Sequence, residues 1–473
     1  MEEIREGNKE GKRLELQTNV IKPYLDQVYP TVSHGSGVYL YDVNGKAYLD
    51  GCSGAVTANI GHGVQEVIQA MCDQAHKVSF TYRSQFTSEP AEQLGEKIAS
   101  WTPGDLNRVF FVNSGSEANE TAMKVAIQYW QEKGCKGKNK ILSRWMSYHG
   151  ITLGALSLSG HISRRKRFAS TLEPAPVLEP PYCYRCPFNL SYPDCRLHCA
   201  EQLETVIQRV GAENIAAFIA EPIIGAAGGA VTPPPQYYNR IKEICERNDI
   251  LFIADEVMTG NGRTGERFGI DHWGVIPDIM TLGKGMSAGY TPMAAAIVSD
   301  RIIEVIREGS QSIMSGHTYS ANPQSAAVSL AVMNYIDEQQ LLNQVNERGL
   351  YLSRGMQQLK QKHSIIGDIR GKGLLYGIEF VKNSRVGKSP FPLSEKITDQ
   401  LINQAMKNGL LVYNASGAVN GQAGDAIIIA PPFVISEREI DHLLSMLDET
   451  IRQLTEELIE KGVIENESCP SDI

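Results

Sequence analysis

The 473-residue sequence predicts an α/β protein: a large domain with a mostly parallel sheet flanked by helices, and a smaller α+β domain built from both chain ends. Three observations carry this expectation. The middle of the chain alternates short, continuously apolar runs with amphipathic stretches, the pattern of parallel strands buried on both faces and separated by helices. From about residue 335 the pattern changes to long helices and glycine-split strands. A hairpin signal also stands near the N-terminus, and its natural packing partner is the C-terminal module. The expected division is 1–64 as an N-terminal segment contributing to the small domain, 65–335 as the large domain and 336–473 as the C-terminal small domain.

The elements follow in order. "GVYLYDVNGKAYLDG" (37–51) is a hairpin around the Asn44-Gly45 turn signal. "NRVFFV" (107–112) is a buried strand that runs into "NSGSEANETAMKVAIQYWQEKG", a helix with small and polar residues at its start. "KILSRW" (140–145) is the next strand, and "IAAFIAEPI" (215–223) another, followed by a Pro/Gly-rich turn and a helix around 235–248. "DILFIADEV" (249–257), "PDIMTLGK" (277–284) and "PMAAAIVS" (292–299) complete the central strands. A helix at about 340–362, paired strands in "SIIGDIRGKGLLYGIEFV" (364–381), a helix at 395–408, two short strands and a terminal helix at 436–460 make up the rest.

Composition narrows the function classes. Hydrophobic residues at 42% and charged residues at 21% are ordinary for a globular protein. A net charge of −9 argues against a nucleic-acid-binding surface, and the one basic run, "SRRKRF" (163–168), reads as a solvated loop. No apolar run approaches the roughly 18 residues that span a bilayer. The charged start, "MEEIREGNKEGKRLELQ", lacks the apolar core of a secretion signal, so a cytoplasmic location without membrane contact is expected. Nine cysteines, an odd number, fit that compartment as reduced thiols.

Open parallel sheets bind ligands at the carboxyl ends of their strands, and polar residues gather there in this chain. Ser114, Gly115 and Ser116 follow one strand and open a helix, which suits a phosphate but also suits a simple cap. Tyr148 follows the next, either as a flat face for a planar ligand or as a core tyrosine. Glu221 and Asp255 end two apolar strands, where a carboxylate is costly unless it is paired. Lys284 ends a third, between Gly283 and Gly285. A lysine forms a Schiff base with an aldehyde cofactor, and a carboxylate facing a pyridine nitrogen keeps that nitrogen protonated. Together with a helix N-terminus and an aromatic cover, these requirements describe pyridoxal 5′-phosphate.

"NSGSEANE", "SYHG", "AEPI", "DEVMTGNGRTG", "TLGKG", "HTYSANP" and "APPF" occur in the order found in the class III aminotransferases, which this chain resembles over roughly 35–455. The resemblance implies the type I fold of pyridoxal-phosphate enzymes. It implies transfer of an amino group from an ω-amino acid, or a related amino acid or amine, to a keto acid such as pyruvate or 2-oxoglutarate. Lys284 is then the Schiff-base lysine, Asp255 the partner of the pyridine nitrogen, and Tyr148 and Val257 the covers of the two ring faces. Gly115 and Ser116 resemble the phosphate binders, and Thr318 the residue that reaches the phosphate of the neighbouring subunit's cofactor in a homodimer. An amino-acid racemase or epimerase on the same scaffold is the alternative.

Two departures stand out. Many members carry a carboxylate-gripping arginine about ten residues before the Pro431-Pro432 pair, but 408–433 holds no arginine or lysine, and Gly421 fills that place. The nearest substitute is Arg83 in "FTYRSQF", whose other reading is a surface or interface salt bridge. Glu221, which pairs with that arginine in some relatives, would instead attract a cationic substrate end. Cys183, Cys186, Cys195 and Cys199 follow C-x2-C-x8-C-x3-C with His198 interleaved. Four thiolates suit zinc or an iron–sulfur cluster, but this is not a standard zinc spacing, and structural thiols without metal are expected.

Overall fold

The computed structural model describes residues 19–25 and 27–465. The charged segment 1–18 and Cys469 lie outside the described residues. A six-stranded sheet forms the centre, in the order Arg108–Val112, Ala294–Val298, Ile279–Leu282, Leu251–Asp255, Ile215–Ala220, Lys140–Leu142. Five strands share one direction, and Ala294–Val298 runs antiparallel to both neighbours. The reversal follows from the short connection between Leu282 and Ala294, which carries only a 3-10 turn and no helix long enough for a parallel crossover.

The four inner strands read IAAFIA, LFIAD, IMTL and AAAIV, and every residue in them is buried. Such runs bury both faces, which requires helices on each side. The helix Gly115–Glu132 leaves the edge strand Arg108–Val112 and packs against Ile279–Leu282 and Ala294–Val298. The helix Tyr237–Arg247 packs beside Leu251–Asp255. The strand read from "KILSRW" is shorter than expected and ends at Leu142. Arg144 leaves the ladder to serve as a buried clamp, donating from Nη2 to the Glu221 carbonyl (2.7 Å) and from Nη1 to the Tyr238 hydroxyl (3.1 Å).

The hairpin is present as Tyr39–Asp42 and Ala47–Asp50, with the Asp42 carboxylate accepting from the Asn44 and Lys46 amides at 2.9 and 3.0 Å. It is extended by a further strand, Val32–Ser36. Ala47–Asp50 also pairs in parallel with Leu410–Leu411, which ties the N-terminal part to the chain's last third. The paired strands of 364–381 are Ile366–Lys372 and Leu375–Phe380, continued by Asp425–Ile429 and Tyr413–Asn414. The terminal helix Glu437–Glu460 opens with a capping box: Ser436 Oγ accepts from the Glu439 amide (3.3 Å), and Glu439 Oε2 accepts from the Ser436 amide (2.8 Å).

The two regions meet where the strand Leu375–Phe380 passes the turn at 225–230. A Cβ on Gly377 would lie 1.9 Å from the Gly229 carbonyl oxygen, and Arg370 Nε donates to that same oxygen at 2.8 Å. Glycine is therefore required for the approach. Gly377→Ala is expected to cost roughly 1–3 kcal/mol of stability, read as a lowered thermal midpoint of the purified protein.

Candidate active site

Three neighbouring strands present Glu221, Asp255 and Lys284 at their carboxyl ends, where the sheet order places them side by side. With Gly115, Ser116, Asn119, Tyr148, His149, Gly150, Val257 and Met258 they line a cavity of about 160 Å³. A larger cavity of about 810 Å³ lies between the 145–191 segment and the 418–421 loop. None of Lys284, Asp255 or Tyr148 lines it, so the residues rather than the volume identify the site.

Asp255 is buried and fully engaged. Its Oδ2 accepts from Asn119 Nδ2 (2.8 Å) and pairs with His149 Nδ1 (2.7 Å), while Oδ1 accepts from the Val257 amide (3.1 Å) and the Thr281 hydroxyl (3.4 Å). Asn119 is itself fixed, donating also to the His149 carbonyl (2.6 Å) and accepting from Thr281 Oγ1 (2.8 Å). The opposite ring nitrogen of His149, Nε2, is buried without a partner.

Lys284 opens the 3-10 turn 284–286 with φ = +43°, in the left-handed region that a non-glycine residue occupies at a cost. Its neighbours account for the spacing of the glycines. A Cβ on Gly285 would meet Asn59 Nδ2 at 2.8 Å, and one on Gly283 would press Val257 Cγ1 at 3.3 Å. Val257 in turn fills the space beside Gly115, where a Cβ would come within 2.7 Å of it. The lysine's backbone is thus drawn in tightly, and burial pushes the ammonium pKa down, opposed by Asp255 and Glu221 and reinforced by Arg164.

Glu221 faces the loop that carries Tyr148. Its Oε1 accepts from the Tyr148 amide (2.9 Å) and Oε2 from the Gly225 amide (3.0 Å), while burial raises its pKa. Ser116 Oγ accepts from the Ile151 amide (3.0 Å), close against Gly150. Ser114 does not line the cavity. Its hydroxyl accepts from the Glu117 amide (3.3 Å), as a helix cap does.

Two expected residues stand elsewhere in the chain. Thr318 lies on an exposed turn. Arg83 is exposed, donates to the Ser315 carbonyl (2.6 Å) and stacks on Phe110 (4.8 Å), lining a separate cavity. Cys183, Cys186, Cys195 and Cys199 are free thiols that line one small cleft with His198, and among the described residues no His, Cys, Asp or Glu group is arranged to hold a metal ion. Sequence reasoning did not single out Asn119, His149, Thr281 or Arg164. Asn119 follows Ser116 by three residues on the same helix face, and His149 is the neighbour of Tyr148, so both were signalled by spacing. Arg164 belongs to the basic run read as a solvated loop. It instead sits in the turn Ile162–Arg165, with its guanidinium 4.6 Å from the centroid of the Tyr148 ring.

The residues present fit pyridoxal phosphate. A helix N-terminus at Gly115 without a side chain, an amine on Lys284, a fixed carboxylate on Asp255, and Tyr148 and Val257 all border the same cavity. When bound, the cofactor supplies an aldehyde for amine capture and an electron-accepting ring.

Because the folded-state pKa of Lys284 is depressed, the unfolded chain binds more protons between that value and the lysine's ordinary 10.5. The cofactor-free protein therefore gains stability as pH rises through that window. Lys284→Met removes this alkaline gain and is expected to raise the melting temperature of cofactor-free protein at neutral pH by about 1–3 °C, read by calorimetry.

Residues 21–451 match the family described as Aminotransferase class-III. The uncharacterized aminotransferase YodT of Bacillus subtilis (strain 168) is 52% identical over 443 residues, covering 94% of this chain and 99% of that protein. The putrescine–pyruvate aminotransferase of Pseudomonas aeruginosa is 36% identical over 424 residues, covering 89% of this chain and 90% of its own. An amine transaminase from an uncultivated Pseudomonas species, solved with pyridoxal phosphate bound, aligns with a TM-score of 0.86 at 32% identity over 95% of this chain and 100% of that one. The chain belongs to the class III aminotransferases, pyridoxal-phosphate-dependent enzymes of the type I fold.

Proposed function

We propose that the protein moves an amino group from an ω-amino acid, or a related amino acid or amine, to a keto acid such as pyruvate or 2-oxoglutarate. The observation that carries this is the convergence of Lys284, Asp255 and Tyr148 on one cavity. In this reading Lys284 would hold the cofactor through its amine and, once freed by the substrate amine, would take up and return the proton of the substrate carbon bearing nitrogen. A lysine held below its ordinary pKa by burial suits that task. Asp255 keeps the pyridine nitrogen protonated, and Asn119, His149 and Thr281 hold its two oxygens in place. Gly115 and Ser116 bind the phosphate. Tyr148 and Val257 cover the ring, and Glu221 orients Tyr148 through its amide. The putrescine–pyruvate relative supports an amine donor without a carboxylate.

The same reading makes the protein a cytoplasmic homodimer in which Thr318 serves the partner's cofactor phosphate. Phe80, Tyr82, Phe86, Met314 and Tyr319 are exposed around the Thr318 turn, with Phe80 packed edge-on to Tyr319. Ile151 and Leu153 are exposed beside the site itself. Such apolar surface favours burial against a second copy. No helix among the described residues is long and apolar enough to cross a membrane. The grouping of the N-terminal segment with the C-terminal small domain is supported by the pairing of Leu49 with Leu410, whereas position 335 falls inside the helix Pro323–Glu338.

Lys284→Ala is expected to lower turnover by at least about 10²–10⁴-fold while the purified protein still binds the cofactor non-covalently; full activity in this variant removes the reading. Mixing holoenzyme with putrescine and no keto acid should convert the bound cofactor to its amine form, followed by absorbance. A racemase would leave the spectrum unchanged and scramble an amino acid's chirality without an acceptor. Sedimentation at micromolar concentration should give twice the chain mass, and a monomer would reject the shared site.

A further inference from the structure

We infer that Arg164 is the residue that binds the keto-acid carboxylate, in place of the arginine missing from 408–433. This rests on the aminotransferase reading, which brings a carboxylate to the site. Arg164 stands over the Tyr148 ring at 4.6 Å and faces the Tyr413 phenol. Its charge also reaches Lys284, where it opposes protonation. Among the described residues no carboxylate forms an ion pair with it. The other cations near the site are committed. Arg144 is spent on the Glu221 carbonyl and Tyr238, while Arg185 and Arg370 are paired with the buried Glu379 at 2.5 and 2.8 Å.

The 418–421 loop explains the exchange. Gly421 has φ = +67°, and a Cβ there would lie 2.3 Å from Ile162 Cδ1. A side chain at 421 would be strained and would have to displace Ile162, which belongs to the same turn that carries Arg164. Its neighbour Arg165 anchors the turn by donating to the Ser159 carbonyl (3.2 Å) and stacking on Trp145 (5.2 Å). One cation has thus moved from one side of the contact to the other. A guanidinium held over the Tyr148 ring, with no carboxylate partner among the described residues, is suited to a two-point grip on a carboxylate.

The test uses holoenzyme with putrescine as donor and either pyruvate or butanal as acceptor, so that the two arms differ in the carboxylate. Arg164→Gln should lower the ratio of kcat/KM for pyruvate to that for butanal by about 10–100-fold, mainly through the KM for pyruvate. Arg164→Lys should fall between variant and wild type. Equal losses on both acceptors would mark a structural role and overturn the assignment, as would unchanged kinetics with pyruvate. Calorimetric titration of holoenzyme with propionate, an unreactive carboxylate, separates this from the wider reading. If the wild type transaminates neither acceptor, the enzymatic proposal fails, yet weaker propionate binding by Arg164→Gln still upholds the carboxylate site and equal binding rejects it.

Discussion

A carboxylate placed at the end of a fully buried strand must be answered by donors or it does not stay there as a charge. Asp255 is answered from four directions: the amide of Asn119, the imidazole of His149, the hydroxyl of Thr281 and the backbone of Val257. These groups come from the long helix, the Tyr148 loop, the next strand and the turn that follows Asp255 itself. Satisfying one charge thereby fixes the relative positions of the elements that line the cavity. The same contacts set Tyr148 through His149 and set the helix N-terminus through Asn119, so both borders of the cavity are registered to the carboxylate.

The second constraint is steric. Lys284 must enter a space already held by Val257, Gly115 and Asn59, and the glycines on either side of it are what that space allows. Its left-handed φ shows that the backbone is committed to the turn at some cost, which neighbouring packing sustains. Burial then lowers the pKa of the amine, so one arrangement both confines the lysine and eases the loss of its proton.

Much of the fold was legible because its signals are local and redundant. Continuous apolar runs marked the inner strands, and Asn44-Gly45 marked the hairpin. The shortened strand at Lys140–Leu142 was not legible, since what withdraws Arg144 from the ladder is its bonding to Glu221 and Tyr238, which are distant in sequence. The reversal of Ala294–Val298 follows from a connection length that the sequence carries, but composition and periodicity do not signal it. Within the site, the strand-end residues were legible by position, and most of their roles came only from the family resemblance. Arg164 was misread because its surroundings in sequence, "SRRKRF", are basic and polar. What makes it different is a contact with Tyr148, sixteen residues earlier, that no periodicity encodes.

Asp255 and Glu256 show how finely strand geometry divides labour. They are adjacent acids, both buried, and composition cannot distinguish them. Side chains alternate across a strand, so when Asp255 faces the cavity Glu256 is sent to the other side. There it accepts from the Gly269 and Ile270 amides at 2.8 and 2.7 Å and from the Thr259 hydroxyl, tying the 256–270 loop beneath the sheet. Burial pushes its pKa up to about 7 against those three bonds. A one-residue slip of the strand would exchange the two, setting Glu256 against the lysine and burying Asp255 under a loop cut to a longer side chain. The parity of a single strand therefore decides which acid belongs to the chemistry and which to the scaffold.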